Sequence, residues 1–404
     1  MIQPASMTDS SEADELRSTM VHELREQDAI RTEPVAAAFA AVPRHLFAPG
    51  ELLEAAYAPH GIVMAKRDGN GLALSVMSAA HLQAVMLEQA AIEPGMRVLE
   101  VGSGGYNAAL IQELTGPGGR VTTVDIDPDI TGRARACLDA AGYDQVNVVL
   151  ADAENGVPEG APYDRIIVTA GAWDLPPAWI AQLTPARGRL VVPLRMRGLT
   201  RSIAFDRDGA GLVSRAYSLA RFVPVQGDGA FDERKVMVRD GIAVQTDDPA
   251  LRLDAAALSD ALDAPALERW PGAAWDLPDE LDLFVTLSLP HVARLHASQQ
   301  VIDEGIVAPS ASVGVTALVN GGNLAYRVRR TDEATGDFES GVIAHGPRAK
   351  ELAGQYSEAL LRWARDYRRR GAATFRYIPA GGAQGPLPQG ALIKRHGAVT
   401  VTWA

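Results

Sequence analysis

"LEVGSGGYNAAL", residues 99–110, is the stretch that decides how the chain is read. An apolar strand from Met96 to Val101 runs into Gly102, Gly104 and Gly105, and an Ala/Leu-rich helix follows at once. A glycine turn between strand and helix lets the backbone approach a bound nucleotide without side-chain obstruction. The turn does not match the dinucleotide fingerprint G-x-G-x-x-G, because position 107 is Asn where the third glycine belongs.

Two acidic residues narrow the ligand. Asp125 ends the next strand, "VTTVD", 21 positions beyond Gly104, where a carboxylate accepts from ribose hydroxyls. Asp152 ends the third strand in "VVLADAENG", where it can accept from the exocyclic amine of an adenine. Each Asp alone also reads as a helix N-cap or a solvated turn. Together, at successive strand ends, the three features point to an adenosine group, and no Lys or Arg is placed for phosphates. The pattern favours S-adenosyl-L-methionine (product S-adenosyl-L-homocysteine), which has no phosphate and carries a sulfonium cation that an acidic site tolerates. A nicotinamide dehydrogenase would need the missing glycine and a His/Lys/Tyr catalytic set.

Outward from this turn, strands and helices alternate from residue 96 to 195, and the strands are almost continuously apolar. That texture predicts a parallel sheet covered on both faces. Residues 200–219 instead alternate like antiparallel hairpin strands around Asp208-Gly209. Upstream, residues 11–42 read as helices, followed by a proline-punctuated stretch, the glycine-rich "RDGNGLALS" and a helix ending at Pro94-Gly95. Around Val225–Glu233 the chain becomes loop-like, which predicts two domains. The fold class expected is α/β: a Rossmann-like seven-stranded methyltransferase domain over 1–228, with an N-terminal helical segment at 1–60, and an additional α+β domain over 229–404. In the second part "LDLFVTLSLP" and "VGVTALV…GNLAYRVRR" read as strands, the latter pair turning at Gly321-Gly322. Residues 347–371 read as a helix and "HGAVTVTWA" as a final strand.

Composition excludes some classes. With 50 acidic against 38 basic residues the net charge is −12, whereas a protein gripping nucleic acid needs a basic face. A peptide or small-molecule substrate is expected, with no nucleic acid and no membrane partner. No apolar run is long enough to cross a bilayer. The polar, acidic start carries no secretory signal. The single cysteine, Cys137, allows no internal disulfide, so a cytoplasmic location fits. No metal site is expected, and nothing separates a monomer from a homodimer.

The ordered set "AVPRHLFAP", "EPGMRVLEVGSG", "VTTVDID", "VVLADAENGVPEGAPYDRIIVTAGA" and "LVVPL" resembles the protein-L-isoaspartate O-methyltransferase family over about residues 35–205. The resemblance implies S-adenosylmethionine as methyl donor. It places Glu100, Gly102, Ser103 and Gly104 around the methionine portion, Asp125 at the ribose, and Asp152 and Ala153 at the adenine. Tyr106, Asn107, Ile126 and Thr169 are further cofactor-binding candidates. The family's substrate loop has a Ser followed by Gln-Pro, with Met eight positions on. Here Ser78, with Met86 eight positions later, is the candidate catalytic residue that would orient the substrate carboxylate, and Ser75 competes for that role. His81 and Arg44 complete the candidate substrate set. His81 and His45 invite a general-base reading, but a carboxylate needs no base. Arg44 would neutralise the substrate, or form a surface ion pair.

Three departures stand out. Ser-Gln-Pro has become Ser-Ala-Ala, the glycine turn is one residue shorter than the family's, and nearly 180 residues follow the catalytic part. These features resemble the branch encoded with ribosomally made lanthipeptides, the FxLD-type methyltransferases. That resemblance implies methylation of an aspartate side chain in a modified precursor peptide. The ester would then collapse to a succinimide, which can hydrolyse to isoaspartate. The presence of the C-terminal domain leads to the expectation that it recognises the peptide or covers the active site. The alternatives are repair of L-isoaspartyl residues in damaged proteins, or a peptide-binding module with a degenerate cofactor fold.

Overall fold

Strands that read as unbroken apolar runs must be buried on both faces, and the computed structural model of the chain sandwiches them between helices. Residues 7–248, 251–312, 314–331, 336–382, 385–388 and 390–403 are described. The chain opens with α1 (Met7–Glu26), α2 (Glu33–Ala41) and α3 (Leu53–Tyr57). An antiparallel hairpin follows, β1 (Val63–Arg67) and β2 (Ala73–Met77), then α4 (Ala80–Ala90). The glycine-rich "RDGNGLALS" is therefore the tip and second strand of a hairpin. Its turn is held by the Asp68 carboxylate, which accepts from the N–H groups of Asn70 and Leu72.

The alternating segment gives β3 (Arg97–Val101), α5 (Tyr106–Thr115), β4 (Arg120–Asp125), α6 (Pro128–Ala140), β5 (Asn147–Leu150), β6 (Arg165–Val168), α7 (Pro177–Gln182), β7 (Arg189–Met196), β8 (Leu199–Asp208) and β9 (Gly211–Leu219). The sheet runs β5-β4-β3-β6-β7-β8-β9, parallel as far as β7 and antiparallel thereafter. This is the seven-stranded methyltransferase architecture the sequence predicts. The connection from β5 back to β6 crosses β3, so the crevice between oppositely directed connections opens at the carboxyl ends of β3 and β6.

The second sheet is built from β10 (Arg234–Arg239), β11 (Ile242–Thr246), β12 (Leu267–Ala274), β13 (Val292–Ala297), β14 (Val315–Asn320), β15 (Asn323–Thr331) and β16 (Phe338–His345). Their order is β10-β11-β13-β14-β15-β16-β12. The helices of this part are α8 (Ala255–Asp263), α9 (Pro278–Ser288), α10 (Gln299–Asp303) and α11 (Ala349–Arg362). "LDLFVTLSLP" belongs to α9 rather than to a strand. Pro278 opens the helix, and Leu281, Phe284 and Val285 pack toward the second sheet while Leu283 packs toward the first. A helix buried on two sides shows the continuous apolar run of a strand, and periodicity cannot separate the two.

The expected division at 228/229 does not follow the sheet boundary. The last strands, β17 (Thr374–Pro379), β18 (Leu392–Ile393) and β19 (Gly397–Thr402), leave the second sheet and extend the first. β17 pairs with β9, Tyr377 opposite Leu212, and the first sheet becomes ten-stranded. Phe375, Tyr377 and Val399 share a buried cluster with Leu190, Ile203 and Phe205. Residues 229–404 therefore contribute to both sheets. Cys137 is buried in α6. No helix among the described residues is long and apolar enough to cross a membrane, and none of their His, Cys, Asp and Glu side chains cluster to hold a metal.

Candidate active site

β3 is the central parallel strand, so its carboxyl end meets the ends of β4 and β6. Gly102 takes φ +99, and a Cβ there would lie 2.4 Å from Thr169 Oγ1, so only glycine fits. Three contacts pin the turn. The Gly102 N–H donates to Val124 O at 2.8 Å, the Ser103 N–H donates to Asp125 Oδ2 at 2.9 Å, and Thr169 Oγ1 donates to Val101 O at 3.0 Å. Gly105 takes φ +82 against Phe47 and starts α5.

Above the turn lies a cleft open to solvent. Gly102, Ser103, Gly104, Asp125, Ile126, Ala153, Thr169 and Ser75, all candidate site residues from the sequence, line it. Among the described residues the lining holds no basic side chain, and it includes the carboxylates of Asp125 and Asp127. Ser103 Oγ is buried without a hydrogen-bond partner. A Cβ on Gly104 would meet no atom within 4 Å. An uncharged nucleoside with a cationic sulfur fits this lining: the orphaned hydroxyl has a partner to gain, the glycine leaves room, and the carboxylates match hydroxyls and positive charge.

Several expected site residues stand elsewhere. Glu100 is fully buried beneath the turn, accepting from Asn107 Nδ2 at 2.8 Å and Thr123 Oγ1 at 2.6 Å. Burial pushes its carboxyl up to about 7. Asn107 thus holds Glu100 rather than lining the cleft. Tyr106, expected near the cofactor, is a core residue with its ring edge-on to Phe39 and Phe47. Asp152 sits beside Ala153 at the rim, and its two oxygens accept from the N–H groups of Glu154 and Asp228.

The substrate set divides as well. Ser75 reaches the cleft from β2, whereas Ser78 lies past the strand and is 9% exposed. Ala79, not Ser78, is the N-cap of α4. His81 Nδ1 lies 3.2 Å from Pro59 O, and its ring packs against His60. Arg44 is a correction. Neither a substrate ligand nor half of a surface ion pair, it is fully buried and donates to Ala56 O, Gln83 Oε1 and Ser78 O at 2.8, 2.6 and 2.7 Å. Its guanidinium also lies 4.6 Å from the Tyr106 ring centroid.

Sequence reasoning missed the walls. The hairpin strand β2 supplies Leu74 and Val76, and the segment after β9 supplies Val223, Pro224, Val225 and Gln226. Lys66 on β1 ties the hairpin to the start of α6, with Nζ 2.6 Å from Asp127 Oδ2 and 2.7 Å from Asp129 Oδ2. The alternation in "LALSVM" and the Asp-Gly-Asn-Gly run before it are the local signals for the hairpin.

Residues 15–230 match the family described as Protein-L-isoaspartate(D-aspartate) O-methyltransferase (PCMT). The protein-L-isoaspartate O-methyltransferase of Hyperthermus butylicus is 40% identical over 230 residues, covering 54% of this chain and 92% of its own. That of Methanopyrus kandleri is 39% identical over 220 residues, covering 54% of this chain and 94% of its own. A solved structure named protein-L-isoaspartate O-methyltransferase shares the fold with a TM-score of 0.50 at 21% identity, covering 89% of this chain and 96% of its own. The chain belongs to the protein-L-isoaspartate(D-aspartate) O-methyltransferase family, and it is an S-adenosylmethionine-dependent carboxyl methyltransferase.

Proposed function

We propose that the enzyme methylates the free carboxylate of L-isoaspartyl residues in peptides or proteins. The observation that supports this reading is the cleft lining: no basic side chain among its described residues, the Asp125 carboxylate and the unpartnered Ser103 hydroxyl. Gly102, Ser103, Gly104 and Asp125 would hold S-adenosylmethionine, with Ile126, Ala153 and Thr169 beside them. When bound, that cofactor supplies a methyl group on a positively charged sulfur, which a carboxylate oxygen takes, leaving S-adenosylhomocysteine.

A carboxylate is already an anionic nucleophile at neutral pH, so the protein has no proton to remove. Neither His45 nor His81 is among the residues that line the cleft. Burial holds His45 and His81 below the ordinary imidazole range, and each has one ring nitrogen engaged, His45 with Tyr57 Oη at 2.8 Å and His81 with Pro59 O. The work left to the protein is alignment and exclusion of water. Leu74 to Val76 cover the cleft from one side and Val223 to Gln226 from the other. Ser75, on the cleft wall, is the hydroxyl better placed than Ser78 to orient a substrate carboxylate. The next backbone nitrogen of the substrate then attacks the ester, releasing methanol and closing a succinimide.

A second reading is methylation of an ordinary aspartate in a modified precursor peptide. The altered Ser78-Ala79-Ala80 segment and the second sheet, which lies outside residues 15–230, favour it. It ranks second because the relatives are named for isoaspartate. The second sheet is also no distinction in fold, since a structure of that name matches over 89% of the chain.

The test uses two peptides of one sequence, one isoaspartyl and one aspartyl, with S-adenosylmethionine and mass spectrometry. A methyl ester on the isoaspartyl form alone is expected. Ester or water loss only on the aspartyl form of a cyclised precursor would reverse the order. Calorimetry showing no binding of S-adenosylhomocysteine would sink both readings and leave a peptide-binding module.

A further inference from the structure

We propose that the turn Lys394–His396 braces the adenosine side of the cofactor cleft, with Arg395 as its principal positioning residue. The proposal rests on the assignment of the cleft to S-adenosylmethionine and adds residues from outside the family-matched part of the chain.

The turn joins β18 to β19, the strands that return to the first sheet, and is closed by the Lys394 N–H donating to Gly397 O at 2.8 Å. Its three residues reach β7, the stretches that follow β5 and β6, and the segment that follows β9. Lys394 Nζ donates to Arg195 O at 2.9 Å and lies 4.3 Å from the Trp173 ring centroid. The His396 N–H donates to Asp174 Oδ2 at 2.5 Å, and its Nε2 lies 3.0 Å from Glu154 Oε1, next to the cleft residue Ala153. Arg395 donates from Nη1 to Asp228 O at 2.7 Å and from Nη2 to Ala230 O at 3.4 Å.

The segment Arg395 grips is the one that matters to the cofactor. Val225 and Gln226 line the cleft. The Asp228 N–H donates to Asp152 Oδ2 at 2.8 Å, and a Cβ on Gly227 would fall 2.2 Å from that same oxygen. Gln226 Nε2 donates to Leu74 O at 3.2 Å, which links the segment to the opposite wall. Two glycines, Gly227 and Gly229, make this stretch costly to order. Arg395 holds the stretch in place before a ligand arrives. Without it, only a fraction of molecules present the finished wall, and apparent cofactor affinity falls by that fraction. Arg395 is itself exposed, so its loss leaves no buried group unpaired.

The experiment compares wild type, Arg395→Ala and Arg395→Lys in the full chain. S-adenosylhomocysteine binding is read by calorimetry, methyl transfer by steady-state kinetics, and the order of residues 225–230 by hydrogen exchange. Arg395→Ala should weaken cofactor binding about tenfold, the scale of one charge-assisted hydrogen bond. kcat at saturating cofactor, peptide KM and melting temperature should stay unchanged. Exchange in 225–230 should rise without ligand and recover with it, and Arg395→Lys, which keeps one donor, should fall between. The brace is refuted if Arg395→Ala binds the cofactor as wild type does. It is equally refuted if kcat and melting temperature fall while peptide KM rises. Wild type failing to bind S-adenosylhomocysteine would instead overturn the cleft assignment beneath the proposal.

Discussion

Asn107 Nδ2 donates to a carboxylate oxygen of Glu100 at 2.8 Å, tying the first turn of α5 back to the end of β3. Thr123 Oγ1, from β4, donates to the other oxygen. The residue that breaks the dinucleotide fingerprint is therefore a structural donor. A glycine at 107 would leave a carboxylate that is 0% exposed with one partner fewer. The shortened turn shapes the cleft from below, by holding Glu100, and brings neither Tyr106 nor Asn107 to its surface.

Burial is the largest influence on Glu100, raising its pKa from 4.5 to about 7 against the pull of Thr123 and Asn107, while Asp125 adds a smaller push. Between pH 4.5 and 7 the folded chain keeps a proton there that the unfolded chain has released. Stability from this group is thus complete below about pH 4.5 and is lost as pH rises through about 7. Glu100→Gln removes that loss. Its melting temperature relative to wild type should climb across this window and then level off, a change of about 3 kcal/mol in stability. A difference independent of pH would show that Glu100 ionises alike in both states.

Two glycines with only Ser103 between them should respond differently. Gly102→Ala meets both a positive φ and Thr169 Oγ1 at 2.4 Å, so it should lower stability by about 1–3 kcal/mol as well as cofactor affinity. Gly104→Ala meets nothing in the protein, and its methyl group projects where ligand belongs. That variant should melt like wild type yet show a raised KM for S-adenosylmethionine. Equal melting temperatures for both variants would contradict the geometry at Gly102.

The parallel sheet, the glycine turn and Asp125 were legible because each is written in local spacing: an apolar run, a strand-to-helix glycine and an acid at the next strand end. What escaped is written across distance. Arg44 looks like a surface cation beside Pro43, and only its acceptors on Ala56, Ser78 and Gln83 make it a core residue. α9 shows a strand's composition because it is buried between two sheets. β17 to β19 read as part of a second domain, since no local pattern marks pairing between Tyr377 and Leu212. Lys66 carries no motif, and its partners lie more than sixty residues away.

Replacing Arg44 should test a hub rather than a substrate ligand. Arg44→Met leaves three acceptors without their donor and should cost about 3 kcal/mol or more, seen as a lower melting temperature. Arg44→Lys should not restore it, because one ammonium cannot span three acceptors arranged around a planar fork. At temperatures where the variant stays folded, its KM for peptide should equal that of wild type. A selective rise in peptide KM with unchanged melting would return Arg44 to the substrate site.

Lys66 holds the hairpin over the cleft through two carboxylates at the start of α6, and Asp127 is lowered from its ordinary value chiefly by that contact. The hairpin brings Leu74, Ser75 and Val76 to the cleft, so freeing it should let the cofactor leave faster. Lys66→Ala should raise the dissociation rate of S-adenosylhomocysteine in stopped-flow measurements while lowering melting temperature only modestly, because Asp129 is exposed and Lys66 and Asp127 are only partly buried. Salt screens such a pair. The gap between wild type and variant should therefore narrow as sodium chloride rises, by acceleration of the wild type rather than slowing of the variant. A gap that holds constant at all salt concentrations would assign the effect to lost hairpin packing instead of the ion pair.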